Sequence, residues 1–209
     1  VLVVEPDGNG GWYIGGSFTD VGPFRRSGIA HILPDGGVDP YFDPYVNNGV
    51  NAITVSGSTL YVGGSFTQAA GSTVASIVTR NRLAAFDAGG QLLGWNPNAN
   101  GSVWALDEIG GVVYAAGGFT TVNGSTARSR GAAFDAVSGT ATGWDPNIGA
   151  TPTALVATAT AVYVGGSFTT VNGATPRNRA AAFDLTTGAA TAWSPNLNAA
   201  VSSIAVTAT

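Results

Sequence analysis

All eight basic residues of this 209-residue chain are arginines, set against twelve acids, and six of them form three identically spaced pairs. The pairs are Arg80 and Arg82, Arg128 and Arg130, and Arg177 and Arg179, with Arg25 and Arg26 at the corresponding place upstream. A planar guanidinium can hold two acceptors at once. Such pairs could therefore capture a carboxylated or sulfated glycan, or satisfy carbonyls and stack on indole rings inside a packed protein. A spacing of two predicts that both guanidinium groups share one strand face. The second arginine also precedes Phe86, Phe134 or Phe183 by four residues, which aligns it with a buried aromatic. The expectation is structural: the six arginines, together with Trp95, Trp144 and Trp193, tie neighbouring repeats to one another.

The carboxylates offer less. Asp87, Asp135 and Asp184 each follow a phenylalanine, and a residue recurring once per repeat is read as closing a turn. General acid and base groups instead come as a differentiated pair within one pocket. Glu5, Asp20, Asp39, Asp107 and Glu108 do not recur and are too scattered to nominate a pair; Asp107 and Glu108 are expected in a solvated hairpin. Asp7-Gly-Asn-Gly-Gly11 faintly resembles a calcium loop but lacks the downstream bidentate glutamate, so a glycine-rich hairpin turn is expected there. His31, the single histidine, is read as a hydrogen-bonded structural residue within a strand. One imidazole and no cysteine exclude thiolate chemistry, disulfides and every metal site that needs two imidazoles. No catalytic residue, metal or cofactor is expected, and the chain is read as not an enzyme.

Composition narrows the class. A net charge of −4 argues against nucleic acid as a partner. With 31 glycines, 44% hydrophobic residues and 10% charged residues, the chain suits turn-rich packed β-structure. No apolar run approaches the roughly 18 residues of a membrane span, so a soluble chain, or a soluble piece of something larger, is expected.

The elements that would position these residues repeat. Tyr61-Val-Gly-Gly-Ser-Phe-Thr67 returns at Tyr13–Thr19 and Tyr163–Thr169, and in altered form at Tyr114–Thr120, with tyrosine steps of 48, 53 and 49. Phe42-Asp-Pro, Trp95-Asn-Pro-Asn, Trp144-Asp-Pro-Asn and Trp193-Ser-Pro-Asn keep the same beat, at steps of 53, 49 and 49. A local insertion at Val74–Val78 accounts for the longer step. In the second period four short runs, 50–55, 60–66, 82–87 and 91–95, have strand length and β-favouring residues, and the glycines between them supply turns. Periods of 1–49, 50–102, 103–151 and 152–200 follow, with 201–209 starting another. Four antiparallel strands per period predict an all-β β-propeller of four-stranded blades forming a single domain. The orphan strand at the end predicts part of a larger ring or array; a compact four-bladed ring and a solenoid are the alternatives.

Val162-Tyr-Val-Gly-Gly-Ser-Phe168, with Ala182-Phe-Asp184 and Trp193, resembles the kelch pattern. Ile29–Asp39, Phe42-Asp-Pro44, Val50-Asn-Ala52 and Tyr61–Phe66 resemble the delta-60 repeat of bacterial surface propellers, a likeness covering nearly the whole chain. The later repeats depart from it at Val137-Ser-Gly139 and Thr186-Thr-Gly188. The resemblance implies a propeller in an extracellular or cell-surface setting and no particular reaction. The copper chemistry known on kelch propellers needs paired histidines that this chain lacks. The functional expectation is a non-catalytic propeller module of a secreted or cell-surface bacterial protein, serving adhesion, assembly or protein interaction. A carbohydrate-binding propeller, or a non-catalytic part of a larger extracellular enzyme, is the alternative. Partners are expected to be protein or surface glycan, without nucleic acid or membrane insertion.

Overall fold

The computed structural model describes residues 1–73 and 76–207. Residues 74 and 75 of the anticipated insertion and the final two residues of the chain lie outside the described residues. All regular structure among the described residues is β-strand, and no helix there is long and apolar enough to cross a membrane. The chain divides into two compact units, Val1–Asn98 and Ala99–Thr209. The division falls in the loop that joins the second and third periods.

Each unit holds two three-stranded antiparallel sheets built in the same way, and the first unit also a smaller one of Tyr45–Val46, Gln68–Ala70 and Val78–Thr79. In the first unit, Val3–Pro6, Trp12–Gly15 and Ile29–Ile32 form one sheet, and Val50–Ser56, Thr59–Gly64 and Leu83–Asp87 form the other, with the second strand central in each. In the second unit the sets are Val103–Ile109, Val112–Gly117 and Gly131–Asp135, then Pro152–Ala157, Val162–Gly166 and Ala180–Phe183. Tight turns separate the first and second strands. The longer excursion from the second strand to the third makes a small hairpin of its own, such as Thr121–Val122 with Thr126–Ala127. Asn123 and Gly124 take the positive φ angles, 46° and 84°, that this reversal requires. In the second period Val78–Thr79 pairs with Gln68–Ala70.

The glycine pairs stand where backbones meet. A Cβ on Gly64 would collide with the Gly49 carbonyl, and one on Gly15 would lie 2.6 Å from Val50 Cγ1. Three first strands shift register by one residue opposite these glycines, at Val50/Ala52, Val103/Ala105 and Pro152/Ala154. The third strands are rich in alanine and buried on both faces: Ala84 and Ala85, Ala132 and Ala133, and Ala181 and Ala182. Phe86, Phe134 and Phe183 close them, each fully buried and each contributing about 1.5–3 kcal/mol by that burial.

The structure corrects the architectural expectation. All-β structure is present, but the sheets have three strands or two, and none is closed on itself. The run expected as a fourth strand, Gln91 to Trp95, makes a single bridge, Phe86 to Leu92; its counterparts do likewise at Ile32–Val38, Phe134–Ala141 and Phe183–Ala190. Arg80, expected on a strand face, lies outside the strands, and its Nη2 donates to the Leu93 carbonyl at 3.1 Å. Four-stranded propeller blades, and the kelch and delta-60 likenesses that implied them, are not upheld.

Candidate functional site

The first arginine of each pair makes a repeated bracket. Arg128 Nη1 donates to the adjacent Ala127 carbonyl at 2.8 Å and Nη2 to the Thr142 carbonyl at 2.6 Å. Arg26 reaches Arg25 and Asp39, Arg80 reaches Thr79 and Leu93, and Arg177 reaches Pro176 and Thr191 in the same manner. The second arginine does not lie in a strand. Arg82, Arg130 and Arg179 have φ of 67°, 62° and 68°, a left-handed kink just before the third strand, where the first period has Gly28 at 78°. Such a conformation costs a side-chain-bearing residue about 1–3 kcal/mol. The kink lets the arginine amide donate to the carbonyl of Phe66, Phe119 or Phe168 while its guanidinium takes the carbonyl of Ser65, Ile148 or Ser167. All these acceptors lie within the arginine's own period, so the arginines fix loops inside a repeat.

Trp144 does join neighbouring repeats. It is fully buried against Tyr114 of its own period and Phe183 of the next, and its indole Nε1 donates to the Asp184 carbonyl at 2.9 Å. Trp95 is buried, with its ring 5.1 Å from that of Tyr61. Trp193 packs its edge on Tyr163 but remains 43% exposed.

Asp87, Asp135 and Asp184 cap turns as expected; Asp135 Oδ1, for example, accepts from the Val137 and Ser138 amides. Hydrogen bonds from Ser138 and Thr187 hold the carboxyls of Asp135 and Asp184 below the usual range. Asp107 differs from the expected solvated hairpin. It lies within a strand, and its Oδ2 accepts the Ala157 amide of the next period at 2.8 Å. Burial pushes its carboxyl up.

Among the described residues, a cluster peculiar to the first period surrounds His31. Its Nε2 lies 3.0 Å from Asp7 Oδ2 and its Nδ1 lies 3.1 Å from Asp39 Oδ2, with all three side chains largely buried. Both nitrogens donate together when both carry hydrogen. The hydrogen bond from His31, with those from the Asn9 and Gly11 amides, holds the Asp7 carboxyl below its ordinary range. For Asp39 burial pushes the carboxyl up, but hydrogen bonds from His31 and the Tyr41 and Phe42 amides outweigh it, and the net direction is down. Tyr13 stacks on the imidazole with ring centres 4.6 Å apart, and Phe42 meets it edge-on. A cavity of about 220 Å³ opens beside the cluster, lined by Asp7, Asn9, Tyr13, His31, Ser58 and Thr59.

Hairpin geometry assembles the cluster. Asp7 opens the turn after the first strand, its amide donating to the Gly11 carbonyl, while His31 stands opposite Tyr13 on the third strand. Asp39 returns beside it through the hydrogen bond from its amide to the His31 carbonyl. The sequence reading treated Asp7, His31 and Asp39 separately; the signal it passed over is that all three are peculiar to the first period. A second cavity, about 280 Å³, is lined by Ser17, Thr19, Ser27, Tyr45, Asn47 and Asn48 among others, hydroxyl and amide groups with no carboxylate, imidazole or cation. Among the described residues no group of three or more metal-ligating side chains is placed to hold an ion.

No protein-family model matches the chain, and no curated protein matches it. Two solved structures of similar backbone are the computationally designed proteins Ika4 and Ika8. The first has a TM-score of 0.53 at 15% identity, over 76% of this chain and 80% of the designed one. The second has a TM-score of 0.54 at 15% identity, over 86% of this chain and half of the designed one. Both are likenesses of fold alone. Neither supplies a biological activity, and the propeller module for adhesion, protein interaction or glycan binding loses the family resemblance and the blade architecture on which it stood.

Proposed function

We propose that the chain is a non-catalytic scaffold of successive antiparallel sheets, in which the groups most capable of chemistry are committed to fixing loops. The observation that carries this reading is the state of the single imidazole. His31 has a carboxylate within hydrogen-bonding distance of each ring nitrogen, so neither nitrogen is left to take a proton from a substrate. The arginines support it too, since each guanidinium of the three pairs is bound to backbone carbonyls.

Modification with diethyl pyrocarbonate tests the reading, because the reagent needs an unengaged ring nitrogen. In the native protein His31 is expected to react only as fast as the fold opens, and Asp7→Asn with Asp39→Asn is expected to expose it to rapid reaction. Rapid acylation of His31 in the unaltered native protein would overturn the reading.

A further inference from the structure

The kink before the third strand has the same backbone in all four periods, but in the first it carries no side chain. The amides of Gly28, Arg82, Arg130 and Arg179 donate to the carbonyls of Phe18, Phe66, Phe119 and Phe168, and their own carbonyls accept from Gly16, Gly64, Gly117 and Gly166. Gly28 has φ of 78° where the arginines have 67°, 62° and 68°. In those three periods a guanidinium leaves this point for carbonyls nearby. Arg82 takes that of Ser65, Arg179 that of Ser167, and Arg130 that of Ile148 at 3.0 Å. The first-period counterparts of these acceptors are Ser17 and Val46. Both line the cavity of about 280 Å³, together with Phe18, Gly28, Asn47 and Asn48.

The cavity lies where the arginine would run. A Cβ on Gly28 would stand 3.1 Å from the Gly16 carbonyl oxygen, 3.3 Å from Val46 Cγ2 and 3.5 Å from the Asn48 carbonyl oxygen. Among the described residues nothing donates to the Ser17 carbonyl. Phe18 is half-buried, whereas Phe66, Phe119 and Phe168 are fully buried. We infer that this cavity binds a guanidinium group, the chemistry that the other three periods supply from their own chain. Its oxygen acceptors carry no competing cation, and the net charge of −4 favours a positive ligand. A planar fork reaches two carbonyls at once, which a compact ammonium does not. The place is also distinct from the one taken by a chain segment preceding a period. In the second period Arg82 holds the Ser65 carbonyl while Asn47, from the preceding loop, accepts the Thr67 and Gln68 amides, so both fit together. The inference goes beyond the scaffold reading and is independent of the role of His31.

Titration of the intact chain with methylguanidinium at millimolar concentration, followed by amide chemical shifts, tests it. Saturable shifts are expected at Ser17, Gly28 and Asn48, and not at Ser65 and Arg82, where the chain's own guanidinium stands. Methylammonium is expected to bind at least about tenfold more weakly, the effect of losing one carbonyl hydrogen bond. Gly28→Arg, with far-ultraviolet circular dichroism as the check on folding, is expected to place its own guanidinium in the cavity and to weaken methylguanidinium binding by at least about tenfold. A capped peptide with one central arginine separates the sources of the group. Tighter binding than methylguanidinium assigns the site to an arginine side chain of a protein, and binding no tighter assigns it to a small molecule. Shifts that do not saturate, shifts of equal size at Ser65 and Arg82, equal affinity for methylammonium, or unchanged binding by a folded Gly28→Arg protein would each overturn the proposal. The shift map and the methylammonium comparison use the unaltered protein and decide the matter whether or not Gly28→Arg folds.

Discussion

The first and third periods solve one packing problem in two ways. In the third, Tyr114 meets the broad ring of Trp144, and alanine, Ala133, stands opposite the tyrosine on the third strand. In the first, the tryptophan position holds the smaller Phe42, and the residue opposite Tyr13 is His31, whose ring stacks on the tyrosine. The pair His31 and Phe42 stands at the positions that Ala133 and Trp144 hold in the third period, each against the tyrosine of its own period. The difference lies in the polar atoms. An indole has one N–H, which finds a carbonyl in the next repeat, whereas an imidazole has two nitrogens and requires two acceptors. Asp7 and Asp39 supply them. What resembles a catalytic cluster in one region is, against its counterpart, a local replacement for an aromatic side chain.

The comparison can be broken most forcefully by removing the imidazole. His31→Ala leaves two buried carboxylates without their partner and a void beneath Tyr13; with partial relief by solvent at Asp39, the expected loss is about 3 kcal/mol in chemical denaturation. A feature common to both regions gives the next effect. Arg26→Lys and Arg128→Lys keep the charge, but one ammonium on a flexible stem cannot bracket two carbonyls as a planar guanidinium does. Each substitution is expected to lower stability by about 1–2 kcal/mol, equally in the two regions, as measured by thermal or urea unfolding. A large inequality would show that the bracket is not the same device in both. The smallest effect concerns pH. Asp7 and Asp39 have folded-state values below those of the unfolded chain, so their contribution is fully present above the unfolded carboxylate value of about 3.9. It is lost as pH falls through the lower folded values. His31→Gln is expected to shrink the drop in stability between neutral and strongly acid pH relative to the unaltered protein, leaving the part due to Asp135 and Asp184.

Much of the local structure was legible in the sequence. The repeated tyrosine-glycine-glycine segment, the alternating runs and the turn glycines located three strands in each period and the hairpins between them. The fourth run read as a strand because its composition suits one; it makes a single bridge, and its Leu93 carbonyl takes a hydrogen bond from Arg80, about thirteen residues earlier in the chain, a contact no local pattern reveals. The paired arginines misled for a related reason. Two-residue spacing implies a shared strand face only if both residues are extended, and Arg82, Arg130 and Arg179 take the left-handed conformation that Gly28 takes in the first period. That glycine was the available clue. Asp107 was misplaced because its partner, the Ala157 amide, lies fifty residues away. The His31 cluster was legible only as an exception: a period with phenylalanine for tryptophan, histidine for alanine and two extra aspartates announces a local compensation once the registers are aligned.

The central claim, that His31 and Phe42 together stand in for alanine and tryptophan, is tested most directly by a double-mutant cycle of unfolding free energies at neutral pH on the unaltered chain, His31→Ala, Phe42→Trp and the two combined. The new indole should occupy the space left by the imidazole and donate its N–H to the Asp87 carbonyl, as Trp144 does to Asp184. The expected result is a double variant more stable than the sum of the single effects by at least about 1 kcal/mol. Single effects that add to within about 0.5 kcal/mol would contradict the account and return the cluster to candidacy as a site with a role of its own.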